Sequence, residues 1–203
     1  MSSNFKWASH ISKISSKANV LFYNIIRSFT SSSPLFYANL FKSHIRPLLE
    51  YNSVIWSPHL ISDIKRIESV QRRFTRLVCQ KTNTKFNCYE DRLEIMKLDS
   101  LETRRVRIDL LYMFKFFYNI VDINFSEHFK LHYANQIYNL RGHSVKLQLP
   151  QYSGSTIRNR FFCERVVPVW NALPKHIVES QNLDIFKSRL LQFDITKIYA
   201  NKI

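Results

Sequence analysis

The sequence predicts a mainly α-helical protein with at most one small β-hairpin. Only two glycines, Gly142 and Gly154, occur among 203 residues, whereas a fold with many tight hairpins uses glycine at many of its turns. Apolar residues recur at intervals of three and four through much of the chain, and this spacing is typical of helices with one buried side. Residues 145–149 instead alternate apolar and polar side chains, which predicts a short strand.

Two helices are predicted before residue 50. Residues 9–29 place their apolar side chains on one stripe and their basic side chains on the other side. Ser33 followed by Pro34 is a favourable N-cap and first-turn pair, which opens a second helix through about residue 45. Pro47 has no backbone N–H, so we expect it to end or kink this helix.

The third predicted helix has one apolar and one basic face. It begins at Ser57-Pro58 or at Ser62 and extends to about residue 81. Its apolar side chains cover roughly a third of the circumference; they are Ile64, Ile67, Val70, Phe74, Leu77 and Val78. The basic side chains on and beside the opposite face are Lys65, Arg66, Arg72, Arg73 and Arg76. One face therefore suits a core, and the other suits solvent or a polyanion.

Four further helices are predicted towards the C-terminus, over residues 89–97, 101–121, 161–170 and 183–193. The second of them is basic in its first half and apolar on most sides in its second half. Its basic residues are Arg104, Arg105 and Arg107. We expect a kink at Pro168 in the third of these helices.

The composition changes after residue 121, where the helical pattern gives way to a loop-rich stretch with the single predicted strand. We therefore divide the chain into a helical domain, residues 1–121, and a C-terminal extension, residues 122–203. The extension is expected to hold the strand or loop region and two helices.

The charge of the chain indicates an anionic partner. Lys and Arg total 30 against 15 Asp and Glu, giving +15 at pH 7. A field of this sign attracts polyanions, of which nucleic acid is the commonest in a cell. An anionic membrane surface is a competing partner, and a solvated basic surface without a partner is a third reading. No apolar run is long enough to predict a membrane span.

Several classes of protein are excluded or disfavoured. With two glycines the chain has no glycine-rich phosphate loop, and no Ser-His-Asp or Cys-His set is recognisable. Cys79, Cys88 and Cys163 are odd in number and widely spaced. They do not suggest a disulfide framework, so we expect a reducing intracellular compartment, nucleus or cytoplasm. The N-terminus lacks the apolar segment of a signal peptide.

Two residue pairs each allow a functional and a structural reading. His128 and His132 have the spacing of two metal ligands on one helix face. Without a further ligand nearby, surface or partly packed histidines are the favoured reading. Trp56 and Trp170 could stack on bases, but each lies among apolar neighbours, which favours packing in the core.

A series of motifs points to a known family. In the first part of the chain they are Arg46-Pro47, Leu49-Glu50-Tyr51, Trp56-x-Pro58, Asp63-Ile64 and Glu68-Ser69-Val70-Gln71-Arg72-Arg73. HISKISSKAN (10–19) precedes them, and LDSLETRR (98–105), RGHS (141–144) and RVVPVWNALP (165–174) follow. In this order they resemble the region after the polymerase palm in jockey- and CR-type non-LTR retrotransposon reverse transcriptases, which are RNA-directed DNA polymerases. The resemblance covers almost the whole chain.

The resemblance implies a helical thumb followed by a C-terminal extension. In the family the thumb grips the template–primer duplex beside the palm, which would be its intramolecular partner in the intact enzyme. Such a grip needs cations against phosphates rather than base contacts, and an RNA–DNA hybrid can be approached by shape and backbone. We therefore predict binding to the backbone of an RNA–DNA or DNA duplex. The predicted contact residues are Lys65, Arg66, Arg72, Arg73, Arg76, Arg104, Arg105 and Arg107.

The catalytic part of the family pattern is not present in this sequence. The family holds two Mg²⁺ ions with an aromatic-Ala-Asp-Asp palm motif, and this chain has no Asp-Asp pair. We expect a truncated reverse transcriptase fragment that is not an enzyme on its own and uses no cofactor or small-molecule substrate. The alternative is a non-catalytic protein-interaction or structural remnant without a nucleic-acid role.

Overall fold

The computed structural model describes residues 7–131, 143–149 and 160–199. Helices dominate these ranges, which confirms the predicted mainly α fold. The chain folds as two compact units, Met1–Arg105 and Val106–Ile203. This division lies inside a helix and upstream of the position predicted from composition, between residues 121 and 122.

The first unit is built from helices that agree closely with the sequence periodicity. They are α1 (Ala8–Ser28), α2 (Pro34–Leu40), a π-helical turn (Phe41–Ile45), α3 (Arg46–Glu50), α4 (Ser53–Trp56), α5 (Ile61–Lys81), α6 (Tyr89–Ile95) and the start of α7 (Leu101–Phe117). The core forms where α1 packs on α5. The ring of Phe74 lies 6.1 Å from that of Phe22 and 4.9 Å from that of Phe41, and all three are fully buried. Burial of each such ring contributes about 1.5–3 kcal/mol.

The second predicted helix extends further than the sequence suggests. Helical conformation continues through the π turn and Pro47 to Glu50, instead of ending near residue 45. The Arg46 N–H donates to the Phe41 carbonyl, five residues earlier. Because proline has no N–H and its ring crowds the carbonyl four residues before it, a widened turn at this point lets the helix pass the proline.

The second unit contains the end of α7 and shorter helices. These are α8 (Phe125–His128), α9 (Phe162–Asn171), α10 (Lys175–Val178), α11 (Leu183–Gln192) and α12 (Thr196–Tyr199). Their core centres on Trp170 and Phe186, which are fully buried. Phe114 of α7 stacks on Phe186 with ring centroids 4.3 Å apart. α9 remains a single helix through Pro168.

The predicted strand, residues 145–149, forms a single antiparallel bridge. Leu147 pairs with Leu131, and the Gln148 N–H donates to the Lys130 carbonyl at 2.8 Å. The Asn171 side chain also binds the backbone of Leu147: it accepts from the Leu147 N–H and donates to the Leu147 carbonyl, both at 2.8 Å. No further strand occurs in the described ranges. The two glycines expected to flank this strand lie outside them.

Candidate nucleic-acid interface

The outer side of α5 carries five cations and no acid. Every one of these side chains is exposed, while both acidic residues of the helix, Asp63 and Glu68, are buried on its inner side. We call this surface the α5 basic face; it consists of Lys65, Arg66, Arg72, Arg73 and Arg76. The sequence-based prediction for these five residues required exposure, and the structure provides it.

The α5 basic face has the length of several phosphate steps. A rise of 1.5 Å per residue separates Lys65 from Arg76 by about 16 Å along the axis, and phosphates of one strand recur about every 3.4 Å along a duplex. In the described part of the chain, none of the five cations forms an ion pair. Arg72 stacks over the Tyr89 ring at 4.2 Å, and Arg73 is 3.5 Å from the Asn19 amide oxygen. These contacts orient the guanidinium groups without neutralising them.

A buried polar network fixes the inner side of α5. The Tyr89 hydroxyl donates to Glu68 Oε1 at 2.5 Å, and Gln71 Nε2 donates to the Tyr89 hydroxyl at 2.9 Å. Glu68 also accepts the Leu101 backbone N–H, with Oε2 at 3.0 Å, so it satisfies the first N–H of α7. Burial raises the pKa of Glu68, and burial together with the Glu68 charge raises the pKa of Tyr89. This network fixes the orientation of α5 about its own axis, so that the arginines on its other side face outward.

The second predicted set of cations lies in a different environment. Arg104 donates through Nε and Nη2 to the Glu50 carboxylate, with Nη2 2.9 Å from Oε2. Arg105 is 3% exposed and its charge acts on Glu68, and Arg107 is partly buried. Because Glu50 binds Arg104 and the core surrounds Arg105, this placement does not favour either residue as a contact with nucleic acid. For Arg107 the contact stays a prediction.

The tryptophans are core residues, as favoured from the sequence. Trp56 is 4% exposed and its indole N–H donates to the Tyr51 carbonyl at 2.7 Å. Trp170 is fully buried and its indole N–H donates to the Val145 carbonyl at 3.1 Å. Neither ring is available to stack on a base.

No metal-binding cluster is found among the described residues: no group of three His, Cys, Asp or Glu side chains is close enough to hold an ion. His128 is exposed, and His132 lies outside the described ranges. Cys79 is buried, Cys88 is exposed and Cys163 is partly buried.

Residues from separate sequence motifs meet in space. In the first unit, Arg46 lies 3.9 Å from Glu50, which also binds Arg104 of the LDSLETRR motif. In the second unit, His143 Nε2 is 3.1 Å from the Trp170 carbonyl oxygen. A carbonyl oxygen can only accept, so the Nε2–H of His143 is the donor, and burial lowers the pKa of this ring. The motifs thus include many of the polar contacts that hold each unit together.

One group of charges was missed in the sequence. Lys42, Arg46 and Glu50 are all partly buried and lie four residues apart along the helical segment that contains the π turn. That spacing was the available signal, but Pro47 suggested that the helix ends between them. Arg104 joins this group from α7.

Comparison with known proteins gives one relative. No family model matches the chain, and no solved structure matches it. Uncharacterized protein B0403.1 of Caenorhabditis elegans is 27% identical over 97 residues, which make up 48% of this chain and 49% of that protein. The chain thus spans about half the length of this curated relative. Among the described residues no helix has the length and apolar character needed to cross a bilayer.

Proposed function

We propose that the first unit binds the backbone of a nucleic-acid duplex, without sequence preference, through the α5 basic face. The observation that carries this proposal is the segregation of charge on α5. Five exposed cations occupy its outer side, while Asp63 and Glu68 are buried on the inner side. The net charge of +15 attracts a polyanion, and this face gives it a place to bind.

The chemistry of the face favours phosphates over bases. Arginine binds phosphate oxygens through two parallel N–H groups, and side chains displayed along a single helix contact successive phosphates without reading sequence. The tryptophans that would add base stacking are buried. Affinity is therefore expected to come from counterion release, which makes it steeply dependent on salt.

The resemblance to non-LTR retrotransposon reverse transcriptases gives this binding a role. We propose that the first unit is a thumb of this type, which grips a template–primer duplex. In the motif Glu68-Ser69-Val70-Gln71-Arg72-Arg73, the glutamate and glutamine are buried and the arginines are exposed. The buried residues of the motif thus hold the helix against the core, while its exposed arginines are free to contact phosphates. We assign no catalytic role to the chain, which has no Asp-Asp pair.

Two triple variants of equal charge test the proposal. In the first, Arg72, Arg73 and Arg76 are replaced by Ala; in the second, three exposed cations of α1, Lys13, Lys17 and Arg27, are replaced by Ala. Both remove three positive charges. Fluorescence anisotropy with an RNA–DNA hybrid of random sequence measures the affinity. We expect the α5 triple variant to bind at least about tenfold more weakly, because it loses three phosphate contacts.

The α1 triple variant separates a local interface from the overall field. It should bind within a fewfold of the wild type, and a second duplex of unrelated sequence should bind each protein equally well. Equal losses in both triple variants would contradict an interface on α5, and strong sequence preference would contradict backbone binding.

A protein-interaction role is a second candidate, favoured by exposed apolar residues between α3 and the start of α5. Tyr51 is 80% exposed, Ile55 58% and Ile61 54%. If this surface mediates self-association, sedimentation velocity should show concentration-dependent assembly that Tyr51→Ser with Ile55→Ser abolishes. A monomer at all concentrations would count against this role, and the substitutions should leave duplex affinity unchanged.

A further inference from the structure

The junction of α5 with α6 contains a buried arginine that no carboxylate neutralises. Arg92 of α6 is 9% exposed, and it forms no ion pair in the described ranges. Removing a charge from water costs free energy unless neighbouring groups or a ligand offset that cost. The contacts of this side chain show how much of the charge the fold itself offsets.

Two aromatic rings and one hydroxyl hold the guanidinium group of Arg92. Its central carbon lies 4.8 Å from the centre of the Phe86 ring and 5.4 Å from that of the Tyr89 ring. Its Nε donates to the Thr75 hydroxyl of α5 at 3.3 Å. These contacts fix the direction of the side chain, and the ring faces offset part of its charge. None of them supplies a negative charge.

The outer end of this guanidinium group is available to a ligand. Thr75 occupies Nε, whereas Nη1 and Nη2 have no hydrogen-bond partner among the described residues. Neither atom is one of the described nitrogens that are enclosed without a partner, so both reach solvent. These two nitrogens form the edge with which arginine binds the oxygens of a phosphate.

Arg92 lies beside the α5 basic face. The guanidinium carbon of Arg72 is 4.2 Å from the centre of the same Tyr89 ring, so both arginines contact one side chain. Thr75, which accepts from Arg92, follows Arg72 by three residues and is therefore its neighbour on the surface of α5. Glu90, exposed on α6, forms no ion pair with either arginine in the described part of the chain. The positive surface thus continues from α5 onto α6.

We propose that Arg92 and Arg72 bind neighbouring phosphates of one nucleic-acid strand, so that the interface spans α5 and α6. This inference rests on the proposed duplex binding and adds to it a contact from a second helix. Each guanidinium group offers its own pair of N–H groups to one singly charged phosphate. The row of cations continues along α5 to Arg76 and Lys65, as an extended anion requires.

Arg92 differs from the exposed arginines in being held in place before the ligand arrives. Packing fixes its side chain, so little conformational freedom is lost on binding, and its charge acts in a partly desolvated position. A lysine at this position keeps the charge but lacks the planar group that stacks on a ring and donates two parallel hydrogen bonds. The contribution of Arg92 therefore depends on its shape as well as on its charge.

Two substitutions that keep the net charge test this dependence. We expect Arg92→Lys to bind an RNA–DNA hybrid about tenfold more weakly than the wild type, since a charge-assisted contact is lost. Arg76→Lys, at an exposed position of α5, is the matched control and should weaken binding by less than about threefold. Fluorescence anisotropy measures both affinities, and circular dichroism verifies that both variants are folded. Wild-type affinity of a folded Arg92→Lys variant would show that Arg92 serves the fold alone.

Arginine-selective modification tests the site in the wild-type chain. Phenylglyoxal reacts with the two terminal nitrogens of a guanidinium group, and mass spectrometry quantifies the product at each arginine. Without a ligand, Arg92 should react, though more slowly than Arg27, which is exposed on α1. A saturating RNA–DNA hybrid should slow the reaction of Arg92 and Arg72 several-fold and leave that of Arg27 unchanged.

The pattern of protection separates this inference from the duplex binding on which it rests. If the hybrid protects Arg72 and leaves Arg92 as reactive as in the free chain, the contact from α6 is disproved and binding by α5 stands. If the hybrid protects neither arginine, the proposed duplex binding fails and this inference fails with it. An Arg92 that does not react in the free chain would show that its terminal nitrogens are enclosed, which also disproves the site.

Discussion

Two sets of arginines in the first unit differ in what surrounds their guanidinium groups. Arg72, Arg73 and Arg76 of α5 are exposed, and none of them forms an ion pair in the described ranges. Arg104, at the start of α7, is hydrogen-bonded to Glu50, and its neighbour Arg105 is 3% exposed. The first set is available to a ligand, whereas the second stabilises the fold.

The difference arises from where the acids lie. The acids of α5 turn inward, where Glu68 accepts hydrogen bonds from Tyr89 and Leu101. The acid that neutralises Arg104 comes from a helix 54 residues earlier. A basic cluster in a sequence therefore indicates a binding surface only when no distant carboxylate folds onto it, and the spacing within one helix does not reveal that.

The largest expected effect is a loss of stability when Glu68, the buried acid on the inner side of α5, is removed. Glu68→Ala leaves the buried Tyr89 hydroxyl and Leu101 N–H without their acceptor, which should lower the free energy of unfolding by about 3 kcal/mol. Urea denaturation followed by circular dichroism measures it. The control is Glu90→Ala, which removes an exposed acid from α6. Similar stability of the two variants would show that the inner network does not hold α5.

A smaller loss is expected on the α7 side of the comparison. Arg104→Ala leaves Glu50, 11% exposed, with Arg46 at 3.9 Å as its remaining ion-pair partner among the described residues. We expect a loss of about 1–3 kcal/mol, while Arg76→Ala on the exposed face changes stability by less than about 0.5 kcal/mol. The same denaturation experiment compares them. If Arg76→Ala costs as much as Arg104→Ala, the two environments do not differ as described.

The pH dependence of stability should sharpen the contrast further. The pKa of Glu68 in the folded protein is raised above its ordinary value of 4.5, chiefly by burial. Between 4.5 and the raised value the folded state holds more protons than the unfolded state, so the free energy of unfolding falls as pH rises through this window. Glu68→Gln should lack this fall. Parallel pH profiles of the two proteins, from denaturation at a series of pH values, would contradict it.

Features that depend on the periodicity of apolar residues could be predicted from the sequence. The apolar stripe of α5 and the exposure of Arg72 and Arg76 follow from spacing along one helix, and the structure agrees. The continuation of the helix through Pro47 depends on a widened turn that no spacing rule reports. The burial of Arg105 depends on packing between helices distant in sequence. Local rules thus predicted the helices and their faces, whereas long-range pairing decided which charges remain exposed.

The most direct test of the α5 basic face is the salt dependence of duplex binding. Each phosphate contact changes the slope of log affinity against log salt by about 0.9. Replacing Arg72, Arg73 and Arg76 with Ala should therefore flatten the wild-type slope by about 2–3. The matched α1 variant of Lys13, Lys17 and Arg27 should keep nearly the wild-type slope. An α5 variant whose slope equals that of the wild type would contradict the account, because its arginines would then contact no phosphate.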